Sequence, residues 1–311
     1  MSGAAIANAA ATTAAATTAT VIGIAGLGLV GNALAQRWPM GAGAIAVMGY
    51  DVDATKRVAF DALRPQAARD SIAALAAECD CLLIAVFDDA QLDAVADAVI
   101  AAPARRAQQI VCITTALPAT IRAAGARCLA AGITFVEAPV SGSSAKIAAG
   151  EGRMFVGGEV AAIAIATPVL SAITAHRKVI GALGNASAAK LSTNLVLGLN
   201  RLALAEGMAL AESLGLARAH YLDLLLDSAA TSRAAQEKGA MMAAGQFEPP
   251  VATIAQHAKD VRLMLQLGRE TGQPLPLSEL HHSLLEQAME RGDAQLDNAA
   301  VIRTLRALRA N

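Results

Sequence analysis

A chain of 311 residues is long enough for two domains of ordinary size, each with its own core. Charged residues make up 16%, the formal net charge is −1 and no run of five or six basic residues occurs, which argues against nucleic acid or an anionic membrane as partner. Hydrophobic residues reach 55% while aromatics stay at 3%, so the cores are expected to pack through alanine and aliphatic side chains, and small-molecule chemistry is the class that remains.

Residues 1–20 form an uncharged Ala/Thr tract, read as a disordered tail. The apolar run at 21–35 contains four glycines and has no basic segment before it, so neither a signal peptide nor a membrane span is expected. Cys79, Cys81, Cys112 and Cys128 show no CxxC spacing and read as reduced, buried thiols of a cytoplasmic protein.

Residues 21–25 then read as a strand, Gly26-Leu27-Gly28-Leu29-Val30-Gly31 as a turn, and 32–38 as a helix stopped by Pro39. In that context the GxGxxG spacing has physical reasons. Gly26 permits the tight turn, Gly28 lets a pyrophosphate approach the backbone, and Gly31 lets helix and strand pack closely. A second strand at 44–50 ends at Asp51, twenty residues after Gly31, where a carboxylate would accept both ribose hydroxyls of adenosine. The competing role for Asp51 is to cap the helix that starts near Asp53. Asp51 would repel a 2′-phosphate and Val52 offers no charge to bind one, Lys56 and Arg57 coming a turn later, so NAD is expected over NADP.

Strands at 81–87, 110–113 and 133–136 alternate with helices at 89–100 and 118–130, the pattern of a parallel sheet covered on both faces. Ligands of such sheets collect at the carboxyl ends of the strands, here Phe87-Asp88-Asp89, Thr114-Thr115 and the Glu137 to Ser143 loop. A long helix follows at 184–214, free of proline, apolar on most sides between 195 and 210, and stopped by Gly215. Lys190 and Asn194, four residues apart, leave one face of it near its start. Helices are expected at 217–227, 231–243, 251–270, 276–291 and 298–310, with no strand beyond Ile180.

The chain resembles the β-hydroxyacid dehydrogenase family. The likeness is carried by the glycine turn, Thr114-Thr115-Ala116-Leu117-Pro118, Glu137-Ala138-Pro139-Val140-Ser141-Gly142, Phe155-Val156-Gly157-Gly158, the segment from Gly184 through Lys190-Leu191-Ser192-Thr193-Asn194, and Lys259-Asp260-Val261. The resemblance implies an α/β Rossmann dinucleotide-binding domain at 21–183, extended by strands near 154–156 and 179–180, then the long inter-domain helix and an all-α domain, together 184–311. It also implies an NAD-dependent enzyme interconverting a short β-hydroxyacid and its semialdehyde. Lys190 would be the catalytic acid/base and Asn194 its partner in orienting the substrate oxygen. Ser141, Gly142 and Ser143 would donate to the substrate carboxylate, with Thr115 and Lys259 flanking the nicotinamide.

The chemistry agrees, because a hydride cannot leave a carbinol carbon unless the hydroxyl proton leaves too, and a desolvated lysine near Lys259 has its pKa lowered toward neutrality. Outside this context Lys259-Asp260 would be read as a surface ion pair. Departures from the family pattern are Ser143 for a second Gly, Glu137 for Asp, Ile147 for a small residue, Thr193 for a second Asn, and Phe87-Asp88 for Leu-Pro. Ser143 and Ile147 would narrow the loop near the substrate. No metal is implied, since His176, His220, His257, His281 and His282 form no ligand pattern. The alanine- and leucine-rich helical half predicts a homodimer or homotetramer. An imine reductase, whose members generally lack the lysine, and a non-catalytic dinucleotide-binding module are the alternatives.

Overall fold

The computed structural model describes residues 20–309 except 39 and 41–44, so residues 1–19 of the Ala/Thr tract and Pro39 lie outside the described residues. Five strands, β1 (Val21–Ala25), β2 (Ala46–Tyr50), β3 (Cys81–Ile84), β4 (Gln109–Cys112) and β5 (Thr134–Glu137), run parallel in the order β2-β1-β3-β4-β5. The edge beyond β5 carries β7 (Arg153–Gly157), antiparallel to β5, with the two-residue β6 (Val140–Ser141) and then β8 (Arg177–Gly181) paired to β7. The extension by 154–156 and 179–180 is thus present, whereas β6 falls where only a loop was expected.

The strands are short and apolar on both sides because both faces are covered. Ile22, Ile24, Leu83 and Val111 point to a core shared with α1 (Leu29–Arg37), α2 (Ala54–Leu63), α6 (Ser144–Ala148) and α7 (Val160–Ile173). Leu82, Ile84, Ile110 and Cys112 point to the opposite core, shared with α3 (Ile72–Glu78), α4 (Asp89–Ala101) and α5 (Pro118–Ala130). Each such leucine or isoleucine contributes about 1.5–3 kcal/mol by leaving water. All four cysteines are free and buried in these cores. Burial pushes the Cys79 thiol up to about 12 and that of Cys128 to about 11, which leaves them unreactive.

Beyond β8 every element is helical: α8 (Asn185–Ser213), α9 (Arg218–Asp227), α10 (Arg233–Ala244), α11 (Ile254–Thr271), α12 (Pro276–Glu290), a 3-10 turn Asn298–Ala300 and α13 (Val301–Leu308). α8 runs through the middle of this half, packed on α10, α11, α12 and α13, and touches β7 and β8 at its start. Its Leu191, Leu204, Ala205 and Met208 enter the helical core, but Val196, Leu197 and Leu210 are exposed in the single chain. Among the described residues no helix is long and apolar enough to cross a membrane, and no group of three or more His, Cys, Asp or Glu could hold a metal ion.

Candidate active site

A cavity of about 1300 Å³ opens between the carboxyl ends of the parallel strands and the helical half. The glycine turn forms its floor. Gly26 has φ +95°, and a Cβ on it would collide with the Ala85 carbonyl; a Cβ on Gly31 would collide with the Gly26 carbonyl. Gly28 differs, since a Cβ there would meet nothing within 4 Å, and as the N-cap of α1 it brings no side-chain hydrogen bond. The N–H groups of the first turn of α1 therefore face open space beside a glycine, a cradle that fits a dinucleotide pyrophosphate.

Asp51 stands at the end of β2, as expected. Its carboxylate accepts from Leu27 N (2.8 Å) and Asp53 N (2.9 Å) and lies 3.7 Å from Lys56 Nζ. Leu27, in the turn, donates its amide to Asp51 and lines the cavity. The cap of α2 is Asp53, which accepts from Thr55 N (2.9 Å) and Oγ1 (2.6 Å), so capping is not the role of Asp51. Arg57 turns back to donate to the Asp51 carbonyl at 2.7 Å.

On the opposite wall, Lys190 is 6% exposed and donates to Ser141 Oγ at 2.5 Å. Burial lowers its pKa to about 8; Asp260 raises it and Lys259 lowers it further. Asn194, one turn on, donates to Asp260 Oδ2 at 3.3 Å. Lys259 Nζ donates to the Thr115 carbonyl at 2.9 Å, stands 2.8 Å from Asp260 Oδ1, and lies 5.8 Å from the Phe87 ring centroid. Lys259 and Asp260 are both buried, so they form an interior ion pair, not a surface one, and the bond from Lys259 to the Thr115 carbonyl joins the two halves of the chain.

Gly142 and Ser143 line the cavity beside Ser141, Gly142 with φ +137°. Ser143 caps α6, its Oγ accepting from Lys146 N at 3.2 Å, a structural task the substitution for glycine made possible. Ile147 is buried beneath this loop and lines the cavity. Thr193 points outward, its Oγ1 donating to the Ala189 carbonyl at 2.9 Å, so that departure leaves the cavity unaltered.

Glu137 is the residue whose role sequence reasoning missed. It is fully buried at the end of β5, and its carboxylate accepts from the N–H groups of Gly184 (2.5 Å), Ala186 (3.0 Å) and Ser187 (2.9 Å) and from Ser187 Oγ (2.7 Å). It neutralises the positive amino end of α8 and fixes where that helix starts, hence where Lys190 stands. Its departure from the family pattern was the available signal. On the other side, Asp89 accepts from Leu117 N (3.0 Å) and Thr120 Oγ1 (2.6 Å) and anchors α5 below Thr115.

A family model for the NAD binding domain of 6-phosphogluconate dehydrogenase matches residues 21–184, and one for the NAD-binding of NADP-dependent 3-hydroxyisobutyrate dehydrogenase matches 184–305. The chain is 30% identical to L-threonate dehydrogenase of Cupriavidus necator over 236 residues, 75% of this chain and 79% of that one. The chain belongs to the β-hydroxyacid dehydrogenase family. Two solved structures of the family superpose on nearly all of it. The 3-hydroxyisobutyrate dehydrogenase of Mycobacterium tuberculosis with L-serine gives TM-score 0.80 at 28% identity, covering 93% of this chain and 100% of that one. The 3-hydroxyisobutyrate dehydrogenase of Salmonella typhimurium gives 0.80 at 26% identity, covering 91% and 99%. The family's dinucleotide-dependent dehydrogenase chemistry on CH–OH groups is the activity class of this protein.

Proposed function

We propose that the protein interconverts a short β-hydroxyacid and its semialdehyde, with Lys190 as the acid/base. The observation that carries this is the 2.5 Å contact between Lys190 Nζ and Ser141 Oγ, which sets a proton-transfer group beside the donors for a carboxylate. A bound nicotinamide would supply the hydride acceptor for oxidation and the hydride donor for reduction. In oxidation Lys190, as neutral amine, takes the hydroxyl proton; in reduction, as ammonium, it delivers that proton to the developing alkoxide. Ser141, Gly142 and Ser143 hold the carboxylate. Asn194, braced by Asp260, orients the reacting oxygen, and Lys259 and Thr115 border the nicotinamide end. Replacing Lys190 by Ala is expected to lower kcat about 100-fold or more while NADH binding, followed by fluorescence, stays near wild type. Retained turnover would overturn the assignment. The presence of Lys190 also speaks against an imine reductase and against a non-catalytic module.

The cofactor proposed is NAD, bound by Gly26, Leu27, Gly28, Leu29, Val30, Gly31 and Asp51. Asp51 supports it because a carboxylate at the end of β2 would repel a 2′-phosphate and counters the charge of Lys56. A kcat/KM ratio of NAD to NADP below one would reverse it. The working division lies near residue 184, with a homodimer or homotetramer formed through the helical half, where Val196, Leu210 and Leu214 are exposed. Sedimentation as a monomer at micromolar concentration would count against that. Four free, unreactive cysteines favour a cytoplasmic setting.

A further inference from the structure

Past the Asn194–Asp260 contact the cavity wall includes polar side chains that proton and hydride transfer do not use. Arg201 is on the Lys190 face of α8, seven residues after Asn194; it lines the cavity although only 5% of the residue is exposed. Gly198, lacking a side chain, lets the His257 ring come against α8, since a Cβ there would stand 2.7 Å from His257 Nε2. Arg201 Nη2 meets that nitrogen at 3.4 Å, and Arg201 Nε has no hydrogen-bond partner among the described residues. His257 lies three residues before Asp260 on α11, which sets the guanidinium about one helical turn, roughly 5 Å, beyond the Asn194–Asp260 bond.

The carboxylates whose charge reaches Arg201, Asp297 first and Asp260 second, each hold a nearer cation. His257 is held well below its ordinary pKa, by burial first and then by Arg201 and His281, while burial pushes His281 to about 4, so both rings are neutral at pH 7. Asp297 is taken by Lys238 Nζ at 2.7 and 2.8 Å and by the amides of Val251 and Ala299. Asp260 pairs with Lys259, and Glu237 with Lys146 and Arg233. Glu237 also acts on Lys238 but is held by Lys146 and Arg233, so Lys190, Lys238, Lys259 and Arg201 share Asp260 and Asp297, an excess of two cations when Lys190 is protonated. One carboxylate on Ser141 and Gly142 answers one of them. The other is Arg201.

We propose that Arg201 forms a second anion site, so that the hydroxyacid carries, besides the carboxylate at Ser141, a second oxyanion, carboxylate or phosphate, at its far end. The proposal rests on the hydroxyacid reading of the near end. A buried guanidinium without an anion is costly, and a ligand oxyanion supplies charge-assisted hydrogen bonds that a monoacid cannot. A monoacid leaves Arg201 unpaired and is discriminated against for that reason.

The test is a matched series: 3-hydroxyisobutyrate, the same head with its methyl extended to end in a carboxylate (2-(hydroxymethyl)succinate, -glutarate and -adipate), and a phosphate-ended analogue. The expected result is that at least one doubly anionic acid exceeds 3-hydroxyisobutyrate in kcat/KM by about 30-fold or more, and that Arg201→Met cuts this ratio about as much, Arg201→Lys less. The carboxylate- and phosphate-ended arms tell the two oxyanions apart. Calorimetric binding of glutarate and of inorganic phosphate to the NADH-loaded enzyme reads the site without turnover and is expected to weaken in Arg201→Met. Equal kcat/KM for mono- and dianionic acids in the wild type, or a preference that survives in a folded Arg201→Met, overturns the proposal. If Arg201→Met fails to fold, the wild-type ratio and the wild-type binding decide. If no acid is turned over, the hydroxyacid reading falls, and glutarate and phosphate binding still decides the anion site.

Discussion

Two helices begin behind a glycine, and their amino ends are used in opposite ways. α1 starts after Gly28 with no side chain over its first turn, whereas α8 starts after Gly184 with the Glu137 carboxylate seated on three of its amides and the Ser187 hydroxyl. The electrostatics are the same, a positive helix end facing an anion. At α1 the anion is left for a ligand to supply; at α8 the protein supplies its own, and the helix end becomes a rigid mount for Lys190. An open helix end is a binding site, and a filled one is a positioning device.

The largest effect that can break this contrast is expected from Glu137→Ala. It strands buried N–H groups of Gly184, Ala186 and Ser187, a loss of about 3–5 kcal/mol. By calorimetry the melting temperature should fall by roughly 8–15 °C in a chain of this size. A fall of less than about 3 °C would mean that α8 does not depend on the carboxylate. At α1 the outcome should separate by position. Gly28→Ala meets no neighbour, so stability should hold within about 0.5 kcal/mol while the dinucleotide Kd rises about tenfold or more, because the new methyl occupies the pyrophosphate's approach. Gly31→Ala drives a methyl into the Gly26 carbonyl and should cost both, with about 1–3 kcal/mol of stability lost. Equal behaviour of the two variants would contradict the separate tasks given to these glycines.

The open end was legible in the sequence and the filled end was not, and the reason is range. The turn at α1 is written in six consecutive residues between a strand and a helix, and the strand alternation around it repeats every element. Lys190 and Asn194 were legible because helical spacing is local. Glu137 stood out as a departure, but its partners are Gly184 to Ser187, nearly fifty residues on, and only the folded sheet brings β5 against the start of α8. Arg201 was less visible still. An arginine in a helix reads as a solvent-facing charge, and its burial follows from Gly198 admitting His257 from α11. α7 was hidden by Pro168 within it, and the capping bond that Ser143 accepts from Lys146 N was hidden because it needs the short α6 to exist.

The smallest expected effect sharpens the contrast in terms of charge, since the first turn of α1 carries no titratable group while α8 carries Lys190 near its filled end. With its pKa lowered to about 8, Lys190 is mostly ammonium at pH 6 and mostly amine at pH 10. Oxidation needs the amine, so kcat/KM for the hydroxyacid should rise through pH 8 and level off above it; reduction needs the ammonium, so its profile should fall over the same interval. Asp260 is the one group that raises this pKa against burial and Lys259. Asp260→Asn removes that influence and keeps a side chain able to face Asn194, so the midpoint of the oxidation profile should move to lower pH, by about a unit or less. A midpoint that moves upward would show that Asp260 does not act on Lys190 through its charge, and a profile flat across pH 6–10 would remove Lys190 from the proton-transfer step.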